Sequence, residues 1–185
     1  NGMKQMSANV ALNAPSDANG LKFRVMSSDV LVAQMEAMGA SPQKMAFSEV
    51  YGGLQQGVVD GQENTWSNIY GKKFFEVQNG TTETDHGILD YLVVTNIDWL
   101  NGLDADIRDQ FLTIFNEVTE LRNAESYAVN QANRQAIIDA GGEVRTLTPE
   151  QRQLWIDAMK PVWAKFESDV GAENIAAAQK INMEN

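Results

Sequence analysis

Leu21-Lys22-Phe23-Arg24-Val25-Met26-Ser27-Ser28-Asp29 is the stretch whose reading decides the fold. Apolar and basic residues alternate from Leu21 to Met26, the period-two mark of a strand with one buried face. Asn19-Gly20 ahead of it signals a turn. Ser27-Ser28-Asp29 behind it can cap a helix over residues 30–38, with Gly39 as a left-handed stop. A strand that passes straight into a helix is the repeating unit of an α/β fold.

The same alternation continues outward. Residues 43–46 read as a short strand, and Ser48 as the cap of a helix through Tyr51 and Leu54 that stops at Gly57. Val58-Val59 reads as a strand that opens into the polar loop Asp60-Gly61-Gln62-Glu63-Asn64. A short helix follows from Asn64 to Tyr70, ending at Gly71. Residues 74–77 and 87–94 carry β-branched and aromatic side chains and read as strands. Ile107, Phe111, Ile114, Phe115, Val118 and Leu121 fall at spacings of three and four and form one apolar helix face. That pattern runs on to Ala140 and Gly141-Gly142. A helix of ~35 residues is roughly 50 Å long, too long for one small lobe and suited to bridging two. Val144 and Leu147 mark a strand. Thr148-Pro149-Glu150-Gln151 is a strong helix start, with a capping threonine, proline in the first turn and glutamine three residues on. Pro161 is expected to kink or divide that helix, and a last helix spans residues 171–181.

Composition narrows the function. The 185 residues are 43% hydrophobic and 21% charged, enough for a core in one domain or two small lobes. A net charge of -11 repels phosphate backbones and anionic membrane surfaces, which argues against nucleic-acid or lipid partners. With no cysteine there is no disulfide framework, thiolate metal site or cysteine nucleophile. No apolar run is long enough to span a bilayer. Asn1-Gly2-Met3-Lys4 opens without a leader, and the chain reads as a piece of something longer.

Few residues offer chemistry. His86 stands alone, without a nucleophile or a second nitrogen ligand at usable spacing, and reads as a structural or peripheral residue. Gly52-Gly53 lies in a helical pattern and lacks the ending of a phosphate loop. Arg24 is either a solvated partner of Lys22 on the strand's outer face, which spacing alone favours, or a guanidinium aimed into a cleft to grip a carboxylate. Asn64 is either a helix cap or an amide donor to a ligand. Phe47 is either a hydrophobic staple or an aromatic wall. Trp66 poses the same choice, and Lys4 reads most simply as a surface lysine.

Two blocks weight these choices together. They are Leu21-Lys22-Phe23-Arg24-Val25 and the run from Gly39-Ala40-Ser41-Pro42 through Met45-Ala46-Phe47-Ser48-Glu49-Val50-Tyr51 to Val58-Val59-Asp60-Gly61-Gln62-Glu63-Asn64. Their combination closely resembles the signature region of TRAP-transporter solute-binding proteins. Lys73-Phe74-Phe75-Glu76-Val77 extends the likeness. Val25-Met26-Ser27-Ser28-Asp29 and Asn64-Thr65-Trp66-Ser67-Asn68 look most like the C4-dicarboxylate (DctP) branch.

The resemblance implies a periplasmic-binding-protein-like α/β fold of two lobes that close on an organic acid and deliver it to a membrane permease. It implies a periplasmic location, no enzymatic activity and no cofactor. By analogy, residues 1–89 and 130–185 belong to the second lobe. Residues 90–129 belong to the first, whose remainder is absent, so the chain is similar to the C-terminal part of such proteins. Arg24 matches the arginine that pairs with the substrate carboxylate, Asn64 the asparagine that binds the same group, and Phe47 an aromatic pocket residue. Lys4 stands where a sialic-acid-type relative has a second arginine. Ser28 and Trp66 are expected as rim contacts. Relatives that bind keto acids through a metal carry tryptophan at the position of Asn64, so no metal is expected here. The uncovered Ile107–Leu121 face is expected to cause dimerisation, swapping or aggregation. A sensor module for organic acids and a binding protein for a sugar acid are the alternatives.

Overall fold

The computed structural model describes residues 1–184. Seven strands form one mixed sheet: β1 (Gly2–Ala8), β2 (Lys22–Val25), β3 (Ser41–Lys44), β4 (Gly61–Thr65), β5 (Gly80–Glu83), β6 (Ile88–Leu89) and β7 (Val144–Thr146). Their order across the sheet is β3-β2-β4-β1-β5-β7, with β6 paired to the start of β1. The β2–β3, β2–β4 and β5–β7 pairs are parallel, whereas β1 runs antiparallel to β4, β5 and β6.

The helices are α1 (Asp29–Ala37), α2 (Val50–Gln55), α3 (Trp66–Gly71), α4 (Ile97–Asn101), α5 (Ala105–Asp139), α6 (Pro149–Lys165), α7 (Glu167–Val170) and α8 (Ala172–Glu184). One face carries Met6, Ala8, Phe23 and Val25, which pack with α1 and α6 through Leu31, Met35, Trp155 and Met159. On the other side Val50, Leu54, Trp66, Ile69, Phe74 and Ile137 join α2, α3 and the far half of α5 in a second apolar cluster. Gly61 lets β4 lie close to its neighbours. A Cβ there would meet the Phe23 ring and the Ser7 carbonyl, each at 2.5 Å.

Several expected elements form as the sequence suggests. Ser28 caps α1, its Oγ accepting from the Leu31 amide at 3.4 Å, and Gly39 takes the left-handed conformation at φ 73°. The 35-residue helix is present, as is the Thr148–Gln151 capping box of α6. Other expectations are corrected. Ser48 is not a cap but the middle of the 3-10 turn Phe47–Glu49 that leads into α2. The third strand pairs at Ser41–Lys44, two residues earlier than read. Val58-Val59 lies in a bend and not a strand, and the polar segment that follows is no loop, because Gly61–Thr65 is strand β4 itself. Phe74–Val77 is a 3-10 turn entered through left-handed Lys73 at φ 57°. Its apolar residues reflect the packing of Phe74 and not strand pairing. Of residues 87–94 only Ile88 and Leu89 pair, and Leu92, Val93 and Val94 are exposed. Pro161 does not divide α6, because Trp155, Met159 and Val162 anchor the helix on both sides of it. Strands β1 and β5 carry no apolar alternation that marks them in the sequence.

The two halves of α5 differ. Asn130 and Ile137 are buried, whereas Ile107, Phe111, Ile114, Val118 and Leu121 lie along the exposed half. Trp99 of α4 meets Phe111 edge-on at 5.9 Å between ring centres. Among the described residues, no helix is long and apolar enough to cross a membrane.

Candidate ligand-binding site

Neighbouring strands bring Arg24 and Asn64 together. In the parallel β2–β4 pair Arg24 lies opposite Gln62, two residues before Asn64. Side chains alternate along a strand, so Arg24, Gln62 and Asn64 leave the same sheet face, with Asn64 at the C-terminal end of its strand. The C-terminal ends of parallel strands in open α/β sheets are where ligands bind.

Arg24 is only 3% exposed. Its Nε donates to the Met45 carbonyl at 3.0 Å, which aims the planar fork. Its Cζ lies 5.8 Å from the centre of the Phe47 ring, a cation–π contact. Among the described residues, no carboxylate stands within ion-pair distance of it. Burial pulls the guanidinium's pKa below its ordinary value, and the charge of Glu63 works the other way. The Nη nitrogens donate to no protein group among the described residues, and neither is an enclosed orphan. They therefore remain open to an incoming acceptor.

Asn64 is also nearly enclosed, at 4% exposure. Its Oδ1 accepts from Asn68 Nδ2 at 2.7 Å and from the Thr65 amide at 3.2 Å. Two donors on one oxygen orient the amide, and its Nδ2 is left free to donate. Phe47 stands beside the Arg24 guanidinium, edge-on to Phe74 at 5.9 Å, with Lys72 Nζ 5.6 Å from its ring centre. A half-buried ring, an unpaired guanidinium and a free amide N–H suit one oxyanion such as a carboxylate.

Lys4 belongs to a different group. It lies opposite Thr65 and leaves the other face of the sheet, with Met6 and Glu63. Its Nζ is 2.5 Å from Glu63 Oε2, which His86 Nε2 also approaches at 3.2 Å, while His86 Nδ1 meets Thr84 Oγ1 at 2.7 Å. Burial alone would push the Glu63 carboxyl up. The hydrogen bond and charge of His86, then those of Lys4, outweigh burial and hold it below its ordinary value. Ser28 is engaged as the cap of α1. Trp66 is 3% exposed within the second cluster, with the Arg134 guanidinium 6.0 Å from its ring. A cavity of 510 Å³ opens on the opposite face, among Met35, Met38, Trp155 and Met159, and none of Arg24, Asn64 or Phe47 lines it.

The model of bacterial extracellular solute-binding protein family 7 (DctP) matches residues 1–169. The chain belongs to that family. The C4-dicarboxylate-binding periplasmic protein DctP of Vibrio cholerae is 69% identical to this family-7 chain over 98% of its length, and the match covers 55% of the Vibrio protein. A TRAP periplasmic solute-binding protein from Shewanella oneidensis, solved with bound succinate, is 51% identical. It superposes with a TM-score of 0.93 over 96% of this chain and 59% of its own. A Pseudomonas aeruginosa protein solved with bound L-malate is 40% identical, with a TM-score of 0.87 over 89% of this chain and 58% of its own. The family-7 chain thus spans little more than half the length of the relatives it matches.

In this family-7 chain the sequence reading misses Met45, Asn68 and Glu63. Met45 acts through its backbone carbonyl, which no residue pattern reveals. Asn68 lies four residues after Asn64, a spacing compatible with side-chain contact, but Asn64 is in a strand and not in the helix that would make that spacing meaningful. Among the described residues, no cluster of His, Asp and Glu has the arrangement of a metal site.

Proposed function

We propose that the chain is the ligand-gripping part of an extracytoplasmic solute-binding protein that captures a C4-dicarboxylate for a TRAP permease in the periplasm. The observation that carries this reading is Arg24, a guanidinium almost wholly buried, tied back through Nε and left without a carboxylate. Burying an unpaired charge is costly, and a ligand carboxylate that meets the fork with two charge-assisted bonds would offset that cost. Asn64 Nδ2 would donate to the same group, and Phe47 would cover the apolar stem of a short acid. Lys4, neutralised by Glu63, would contribute to the local field and not as a direct grip. The names of the relatives at 51% and 40% identity support succinate and malate as the ligands to test first. Residues 90–129 fit best as a segment of the opposite lobe, because their apolar side chains find so little cover in the chain described. The reading requires no catalytic step and no cofactor.

Calorimetric titration of succinate or L-malate into a protein of the relatives' full length tests the proposal. Arg24→Ala is expected to abolish measurable binding. Arg24→Lys, which keeps the charge but loses the fork, is expected to weaken it by at least tenfold. Unchanged affinity in Arg24→Ala would exclude the site.

A further inference from the structure

Asn64 is one end of a hydrogen-bonded chain of side chains. Asn68 Nδ2, which donates to Asn64 Oδ1 at 2.7 Å, also lies 3.2 Å from the Tyr91 hydroxyl. Asn1 Nδ2 donates to the same hydroxyl at 3.2 Å. Asn1 Oδ1 in turn accepts from Ser67 Oγ at 2.9 Å and from Asn130 Nδ2 at 3.2 Å. Asn130 is buried within α5, and its Oδ1 accepts from the Ser67 amide at 3.1 Å, at the start of α3. The chain thus joins the end of β4, the first turn of α3, the segment after β6 and the buried part of α5.

From this arrangement we propose that Asn68 is a positioning residue for ligand recognition. It fixes the polarity of the Asn64 amide so that a donor, and not an acceptor, faces the ligand. The inference rests on the capture reading above and adds to it the group that sets its selectivity. An amide is symmetric in shape and opposite in charge at its two ends, so either face could be turned to the ligand. Asn68 and the Thr65 amide remove that freedom by both donating to the oxygen, Asn68 through the shorter bond at 2.7 Å against 3.2 Å. With Nδ2 outward the site favours an anionic oxygen; with Oδ1 outward it would repel one. Tyr91 and Asn1 hold Asn68 in turn. Ligand polarity is therefore sensitive to the chain segment that passes Tyr91, outside the strand that bears Asn64.

A double-mutant cycle tests this in a protein of the relatives' full length, with succinate and L-malate as probes in calorimetry. Asn64→Ala and Asn68→Ala are each expected to weaken binding on the order of tenfold, as for loss of one charge-assisted hydrogen bond. The double variant is expected to be no weaker than Asn64→Ala alone. Asn68→Asp, which can only accept, sets a carboxylate against the Asn64 oxygen, leaves the Thr65 amide as its sole remaining donor and is expected to bind at least as weakly as Asn68→Ala. Asn68→Ser, which keeps a donor, is expected to recover part of the loss. Should Asn68→Ala fail to give a cooperative melt, the Asp and Ser variants carry the comparison. Unchanged affinity in Asn68→Ala, or additive losses in the double variant, overturns the positioning role. Arg24→Ala separates the two readings. If it abolishes binding while Asn68→Ala has no effect, only the positioning role fails. If Arg24→Ala binds normally, or the unaltered protein binds neither acid, the capture reading fails and takes this one with it.

Discussion

A largely buried guanidinium with no carboxylate within ion-pair distance makes the unliganded protein pay for its function in stability. Arg24 is in that state, so Arg24→Met, similar in length and apolar, is expected to raise the stability of the empty protein by about 1 kcal/mol. The same change is expected to erase the rise in melting temperature on adding succinate. Chemical denaturation with and without ligand checks both, and a destabilised Arg24→Met protein would show that the charge is better solvated than its burial indicates. Glu63 makes the converse case. Its folded-state pKa lies below its ordinary value of 4.5. Its contribution to stability is therefore complete above that value and is lost as pH falls through the lower folded value. The stability gap between the unaltered protein and Glu63→Gln is expected to narrow as pH falls below about 4.5. A gap independent of pH would remove the Lys4–Glu63–His86 group as its source. At this scale the sequence says little on its own. Spacing places Arg24 with Lys22 on one face and favours a solvated pair, yet Lys22 is exposed and Arg24 is not. Only tertiary cover from Met45 and Phe47 separates them, and cover cannot be read from alternation.

Elements are legible where one physical signal acts alone. Periodic apolar residues and two glycines bound α5 closely, and the capping box fixes the start of α6, where Thr148 Oγ1 accepts from the Gln151 amide at 3.2 Å. Thr148→Ala is therefore expected to cost about 1 kcal/mol in thermal or urea unfolding. A loss near zero would mean that Pro149 and the packing of Trp155 set the helix start unaided. Strand β4 is illegible for the opposite reason. Gly61-Gln62-Glu63-Asn64-Thr65 has no apolar side chain, yet all five residues are buried. Some of its polar groups find partners in distant parts of the chain, as in Gln62 Nε2 donating to Ser7 Oγ at 2.9 Å and Glu63 pairing with Lys4 and His86. Patterns of hydrophobicity cannot register such a strand, and β1, its partner, is hidden by the same mixture of lysine, glutamine and methionine.

For the molecule as a whole, the α/β architecture follows from alternating strands and helices, and the mixed direction of the sheet does not. The chain spans 55% of its Vibrio relative, and its least covered apolar residues concentrate between Tyr91 and Leu121. The 185-residue chain by itself is therefore expected to self-associate at micromolar concentration, as sedimentation velocity would register. Ile114→Lys with Val118→Lys is expected to return it to a monomer at little cost in stability, because both side chains are already half-exposed. A monomeric unaltered chain would show that the stripe is tolerated in water.

Helix α5 is rooted at one end only. Asn130 and Ile137 are buried in its C-terminal half, which packs beside α3 and β1, while about 25 residues stretch from Asn130 back to Ala105, close to 38 Å of stiff rod. Such a lever multiplies motion. A tilt of about 10° at the root would sweep the tip through roughly 7 Å, so whatever rides on the first turns of α5 travels far while the side chains around Asn130 hardly shift.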